Sequence, residues 1–170
     1  MNVDSSRKVV PAVLIYARSE KHVLMIHRDG TKKNDIHEGK WNGLGGKIES
    51  SKDESPREAA QREFFEESGI WLSSDSFQPL GWLFFPFFKP EKNEDWVVFV
   101  FECKLSRREN FDENVCSEGM LAWVREQELL DRPLWPGDRV FLPYVLASTP
   151  FFGTFWYEHG DLKRFEFQSK

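Results

Sequence analysis

Long apolar runs are missing from this 170-residue sequence, and their absence removes a first class of protein. No stretch approaches the roughly 20 apolar residues that a membrane-spanning helix needs. The first residues show no apolar core of a signal peptide, so the expectation is a soluble, cytoplasmic protein. Cysteine is nearly absent, with Cys103 and Cys116 alone. They match no metal-ligand spacing and read as reduced thiols. Positive charge is short too: 23 Lys and Arg face 28 Asp and Glu, for a formal net charge of −5. A broad nucleic-acid surface would show a basic excess, whereas small polyphosphates chelated by a metal suit this balance. Repeats, low-complexity tracts and linkers are also lacking, which at this length points to one domain, 1–170, with a sizeable core. The four histidines, His22, His27, His37 and His159, are scattered and read as structural or surface groups.

Aromatic side chains are plentiful, with 16 Phe and 7 Trp. They supply rigid bulk for a core, with some to spare for stacking on a base. Apolar, β-branched runs over 9–17 and 22–28, parted by the polar 18–21, predict a hairpin. A charged loop over 29–40 then leads to Trp41-Asn42-Gly43-Leu44-Gly45-Gly46. Strand patterns recur at 77–88, 96–105 and 121–125. The segment 126–130 fits a short helical turn, and 138–148 a longer helix despite Pro143. A final hairpin over 151–157 and 162–167 turns at His159-Gly160-Asp161. Strands with one strong helix between them and a weaker one late in the chain give an α+β class with a mixed sheet.

The strong helix lies in the stretch from Gly45 to Ile70. Ser55 with Glu58 three residues on forms a capping box, Pro56 takes the first helical position, and Gly69 closes the end. The spacing predicts a helix over 56–68. At roughly 100° per residue, Glu63, Glu66 and Glu67 fall within one arc, on the side that also carries Ala59 and Ala60. Like charges at this spacing repel, and a hard divalent cation such as Mg²⁺ would relieve them. The small alanines leave room for the Gly45-Gly46 backbone to approach. For three glutamates alone, the competing reading is a solvated acidic face.

The wider pattern resembles the Nudix box: Gly46, then Glu54, then Arg62-Glu63-Phe64-Phe65-Glu66-Glu67-Ser68-Gly69-Ile70. Seven residues part Gly46 from Glu54, two more than the usual spacing, as if two residues had been inserted around Ser50 to Asp53. The resemblance implies an α/β/α sandwich with the box helix packed on the sheet. It implies Mg²⁺, with Mn²⁺ as an alternative, held by Glu63, Glu66, Glu67 and the Gly46 carbonyl, and Arg62 supported by Glu54. The implied reaction is hydrolysis of a nucleoside diphosphate linked to another group.

Three further stretches, Trp41 to Lys47, Glu118 to Val124 and Leu134 to Asp138, resemble the MutT/MutX-type 8-oxo-dGTP diphosphatases. That resemblance implies that Asn42 hydrogen-bonds a purine, Trp135 stacks on it and Asp138 reads its Watson–Crick edge. The competing roles are a loop-capping Asn42, a core Trp135 and a helix-capping Asp138. The mammalian members carry a second aspartate where Gly137 stands here. Glu118 matches a glutamate outside the box that binds a further metal or accepts a proton from water, with a plain turn carboxylate as its competing role. Arg28 and Lys47 are candidate phosphate contacts. The expectation is therefore a Mg²⁺-dependent hydrolase of oxidised purine nucleoside triphosphates, with Glu66 or Glu67 as base. Its partners are small nucleotides, and it is a monomer or homodimer. The rivals are hydrolysis of a nucleotide sugar, dinucleoside polyphosphate or RNA 5′ end, and a nucleotide-sensing module without catalysis.

Overall fold

The structure is a computed structural model that describes residues 6–30, 35–111 and 116–170. Part of the expected 29–40 loop, at 31–34, lies outside the described residues. In chain order the elements are β1 (Lys8–Ser19), β2 (His22–His27), β3 (Trp41–Asn42), α1 (Pro56–Ser68), β4 (Gln78–Lys89), β5 (Glu94–Lys104), β6 (Met120–Arg125), α2 (Asp138–Leu146), β7 (Phe151–Glu158) and β8 (Asp161–Ser169). The described strands form one mixed sheet in the order β3-β2-β1-β5-β4-β7-β8, with β6 also on β2. The β1–β5 and β4–β7 pairs are parallel and the others antiparallel.

Side chains alternate across this sheet, as the pleat requires, and so divide the core in two. Val13, Ile15 and Ala17 of β1 face α1, where Ala59, Ala60 and Phe64 pack with Leu24, Ile26, Leu44 and Phe101. Leu14 and Tyr16 face the other way, towards Phe141, Leu142 and Val145 of α2 with Met25, Leu83, Val100 and Phe155. Helices thus lie on both faces, giving the expected α/β/α sandwich. No helix among the described residues is long and apolar enough to cross a membrane.

Helix α1 has the expected bounds, and both bonds of its capping box are present: Ser55 accepts from the Glu58 N–H at 3.2 Å and Glu58 accepts from the Ser55 N–H at 2.8 Å. Gly69 closes it in the left-handed region at φ 70°. The first hairpin turns later than the polar run suggested. β1 continues through Ser19, and Glu20 and Lys21, at φ 49° and 61°, make a two-residue loop. Arg18 is drawn off the turn by a buried network: it bonds Glu126 at 2.8 Å, Ser148 at 3.2 Å and the Val145 carbonyl at the end of α2 at 3.1 Å. β5 begins at Glu94, ahead of the expected 96–105, and its Asp95 is buried and accepts the Phe87 N–H at 2.7 Å. Helix α2 ends at Leu146, two residues early, because Ser148 turns left-handed at φ 50° and donates to Glu102 at 2.8 Å.

Phe64 is fully buried and meets Phe77 edge-on at 5.7 Å, joining α1 to the sheet. Phe64→Ala is expected to cost about 3–5 kcal/mol, read as a lower denaturant midpoint at unchanged slope.

Candidate active site

The segment from Leu44 to Ile48 lies along β1 and carries the site. The Val13 N–H donates to the Gly46 carbonyl at 2.8 Å, the Ile15 N–H to the Leu44 carbonyl at 2.7 Å, and the Ile48 N–H to the Pro11 carbonyl at 3.0 Å. Glycines at two positions let the backbone approach closely, and at Gly45 no other residue fits. A Cβ on Gly45, whose φ is 145°, would lie 2.1 Å from the Val13 carbonyl oxygen. One on Gly46 would lie 2.5 Å from a Glu63 carboxylate oxygen. The loop backbone is therefore packed directly on the carboxylate face of α1.

The three helical glutamates sit at graded depth. Glu67 is buried and accepts the Gly45 N–H at 2.7 Å, Glu63 is partly buried, and Glu66 is 53% exposed. Burial pushes Glu67 well above the ordinary carboxylate range and raises Glu63, and Glu118 adds to both by like-charge repulsion. Glu118, brought in from the loop before β6, thus shares their electrostatic field. Arg62 relieves part of the repulsion: it bonds Glu63 at 2.7 Å and Glu66 at 3.2 Å. It also grips Glu54 in a bidentate pair at 2.6 and 2.9 Å, and this pair holds the Glu54 carboxyl below its usual range. The two extra residues leave this support intact. Ser50–Lys52 coils into a 3₁₀ turn ended by a left-handed Asp53, and the Glu49 N–H still reaches Glu54 at 2.7 Å.

Among the described residues no three His, Cys, Asp or Glu side chains converge into a finished metal cage. Mg²⁺ does not need one, since it binds through one or two carboxylates and completes its shell with water and substrate phosphate. The hard-oxygen donor set and the excess of carboxylates over the Arg62 and Arg28 guanidiniums fit such an ion. The Gly46 carbonyl already accepts the Val13 N–H, which leaves it one lone pair for a cation.

Beside this edge a cleft opens on the β1 face that carries Leu14 and Tyr16. Asn42, Trp135, Asp138 and Arg28 line it together with Gly45 and Gly46. The Asn42 side-chain nitrogen and the Tyr16 hydroxyl are buried without a hydrogen-bond partner, an arrangement that costs about 1–3 kcal/mol per group when nothing fills it. Asp138 is the first residue of α2 rather than its cap, which is Gly137. Desolvation lifts its carboxyl to about 7, against the opposing pull of Lys40.

Two expected residues have different surroundings from those the sequence suggested. The Trp135 indole is only 7% exposed, with Phe88, Tyr157 and His37 edge-on and the Lys40 ammonium 5.0 Å above it, so it forms a wall more than an open shelf. Arg28 is paired with Asp35 at 2.7 Å and with Glu118. Desolvation opposes its charge, yet these partners hold its pKa above the usual guanidinium value.

Several cleft residues were not singled out in the sequence. His37, expected to be structural or surface, accepts the Trp135 indole N–H at Nδ1 at 2.9 Å, and its backbone N–H donates to the Asp35 carboxylate at 3.0 Å. Burial lowers its pKa to about 4, as an acceptor Nδ1 requires. The Tyr157 hydroxyl accepts the Gly137 N–H at 2.8 Å and occupies the space where a Gly137 Cβ would stand, 2.6 Å away. Phe85, Phe88, Lys89 and Trp96 complete the lining. Their only sequence signal was aromatic density in β4 and β5, which is also what a core strand shows.

This arrangement sets a carboxylate-bearing helix and its glycine loop beside an aromatic cleft. The chain belongs to the NUDIX domain family, whose model matches residues 7–145; it is a Nudix hydrolase. It is 29% identical over 132 residues to the oxidized purine nucleoside triphosphate hydrolase of Mus musculus, covering 78% of this chain and 79% of that one. With the protein of the same name from Danio rerio it shares 30% over 135 residues, covering 78% and 80%. A MutT protein from Bacillus halodurans has the same fold, with a TM-score of 0.76 at 24% identity over 93% of this chain and 97% of that one. Nudix hydrolases generally use divalent ions such as Mg²⁺.

The raised Asp138 carboxyl has a thermodynamic consequence. Between its ordinary value near 3.8 and about 7, the folded state holds the proton more tightly than the unfolded state, so stability falls as pH rises through this window. Relative to Asp138→Asn, the wild type should lose on the order of 2–4 kcal/mol between pH 4 and pH 8. Parallel denaturation curves at the two pH values would measure the difference.

Proposed function

We propose that the protein hydrolyses oxidised purine nucleoside triphosphates, such as 8-oxo-dGTP, to the nucleoside monophosphate and pyrophosphate, clearing damaged precursors from the cytoplasmic pool. The observation that carries this proposal is the juxtaposition of an aromatic cleft, floored by unpaired Asn42 and a raised Asp138, with the Gly46–Glu63 edge of the carboxylate helix. The names of the mouse and zebrafish relatives support the choice of substrate.

Glu63, Glu66 and Glu67, with the Gly46 carbonyl and Glu118, would hold Mg²⁺ or Mn²⁺. When bound, the ion neutralises polyphosphate charge and acidifies water. The chain's own groups do the rest. Arg62, fixed by Glu54, keeps Glu63 and Glu66 in place, and Gly45 does the same for Glu67 through its N–H. Glu66 or Glu67 takes the proton from the attacking water. At the other end Asn42 offers its free N–H to an acceptor on the base. Asp138, poised near neutrality, presents a donor or an acceptor to the Watson–Crick edge according to the base it meets. Trp135, held through His37 and Asp35, walls the base in, while Lys40 can swing from the indole on its flexible stem.

Glu66→Gln and Glu67→Gln keep the side-chain shape and remove the charge. In folded variants the turnover rate should fall roughly a hundredfold or more for whichever residue is the base. Activity assays with Mg²⁺ and with EDTA, over dGTP, 8-oxo-dGTP, a nucleotide sugar and a dinucleoside polyphosphate, test the whole assignment. Asp138→Asn should alter the ranking among these bases and leave metal dependence unchanged. A nucleotide sugar outrunning both guanine triphosphates would overturn the substrate.

A further inference from the structure

At the end of the cleft away from Asp138, two lysines bracket one indole. The Lys89 ammonium lies 4.6 Å from the Trp96 ring centre and the Lys47 ammonium 5.4 Å from it. The indole is pinned, since its N–H donates to Glu94 at 3.1 Å. Neither lysine forms an ion pair with a described carboxylate, on a protein whose formal net charge is −5. Burial, followed by the ammoniums of Lys92 and Lys47, pulls the Lys89 pKa below its usual value, while Glu94 and Glu91 pull the other way. Lys89 is half-buried beside the indole and Lys47 is exposed at it, and an anion that reaches both ammoniums would offset the repulsion between them.

The register of the sheet says where this bracket stands. Along β1, Tyr16 marks the Asp138 end, Val13 bonds Gly46, Ala12 pairs with Lys47 and Val10 pairs with Trp96. Ala12 and Lys47, as partners, project to one face, the face that Leu14 and Tyr16 also line. From Tyr16 to Ala12 the strand advances about 13 Å, on the scale of a nucleotide. The carboxylate edge thus lies between the base end and the lysine bracket, and Arg62 donates to the Lys47 carbonyl at 3.1 Å. A triphosphate whose base meets Asn42 and Asp138 would pass Gly46 and run out at Lys47, Trp96 and Lys89.

We propose that Lys47, Trp96 and Lys89 form an anion subsite that takes the distal, departing phosphates of the substrate. The subsite selects chains with a third phosphate over nucleotides whose distal group is neutral. It depends on the proposed function for the identity of the nucleotide, but not for its affinity for a polyphosphate.

The test uses Lys47→Met and Lys89→Met, which keep an apolar stem on the indole and remove the charge. Calorimetric titration of the full chain with inorganic pyrophosphate and Mg²⁺ should show roughly tenfold weaker binding in each variant, the loss of one charge-assisted contact. The KM for a purine triphosphate should rise in step while that for the diphosphate holds, and Lys89→Arg should restore both readings. Unchanged pyrophosphate affinity in both methionine variants overturns the subsite, as does a wild type that does not bind pyrophosphate. An equal rise in KM for di- and triphosphate overturns its distal position. If the wild type turns over no purine triphosphate, the proposed substrate fails, and calorimetry still decides the bracket.

Discussion

The seam between β1 and the Leu44–Ile48 backbone holds everything else in register. It is short, a few main-chain hydrogen bonds of 2.7–3.1 Å. Because side chains on paired extended segments alternate between faces, it addresses both halves of the molecule at once. Leu44 goes into the α1 core, Gly46 sits on the Glu63 carboxylate, and Lys47 projects onto the cleft face. A slip of one residue would exchange the faces, and with them the carboxylate edge and the cleft lining.

Charge is sorted along this seam. Carboxylates gather where α1 meets the loop, with Arg62 and Arg28 distributed among them as struts that hold geometry without cancelling the negative field. The cleft is otherwise aromatic, and its isolated polar groups face low-dielectric surroundings in which each interaction counts for more than in water. Asp138 shows the effect most clearly: an ordinary carboxyl has been shifted to where neutral pH divides its two forms.

Much of this was legible in the residues. The capping box, Pro56 and Gly69 set the bounds of α1 because helix ends are decided by local chemistry. Hydrophobic alternation found the long strands but could not say that β1 pairs in parallel with β5, whose partner residues lie half the chain away. The box pattern put Glu63, Glu66 and Glu67 on one arc, yet their unequal burial follows from how the loop packs and has no local sequence signal. Arg28 looked like a phosphate ligand until the fold supplied Asp35 and Glu118. His37 carried no motif at all, and its place under Trp135 comes from a loop that returns past β2. Asn42 and Asp138 were nameable from resemblance, whereas the hydroxyls of Tyr16 and Tyr157 near them were hidden in ordinary strand patterns.

The Tyr157 hydroxyl and the missing side chain of Gly137 are two descriptions of one volume. With a Cβ at 137 falling 2.6 Å from that oxygen, a side chain there and a tyrosine at 157 exclude each other unless the backbone shifts. The two positions, 20 residues apart in sequence, are therefore not independent variables. A second carboxylate beside Asp138 must displace both the Tyr157 hydroxyl and the edge of the Phe155 ring, 2.9 Å from the same Cβ, and Tyr157→Phe would vacate only the hydroxyl's space while stranding the Gly137 N–H. In engineering terms this corner of the cleft floor is already tenanted, by a hydroxyl and a ring edge, so a new polar group enters it by exchange.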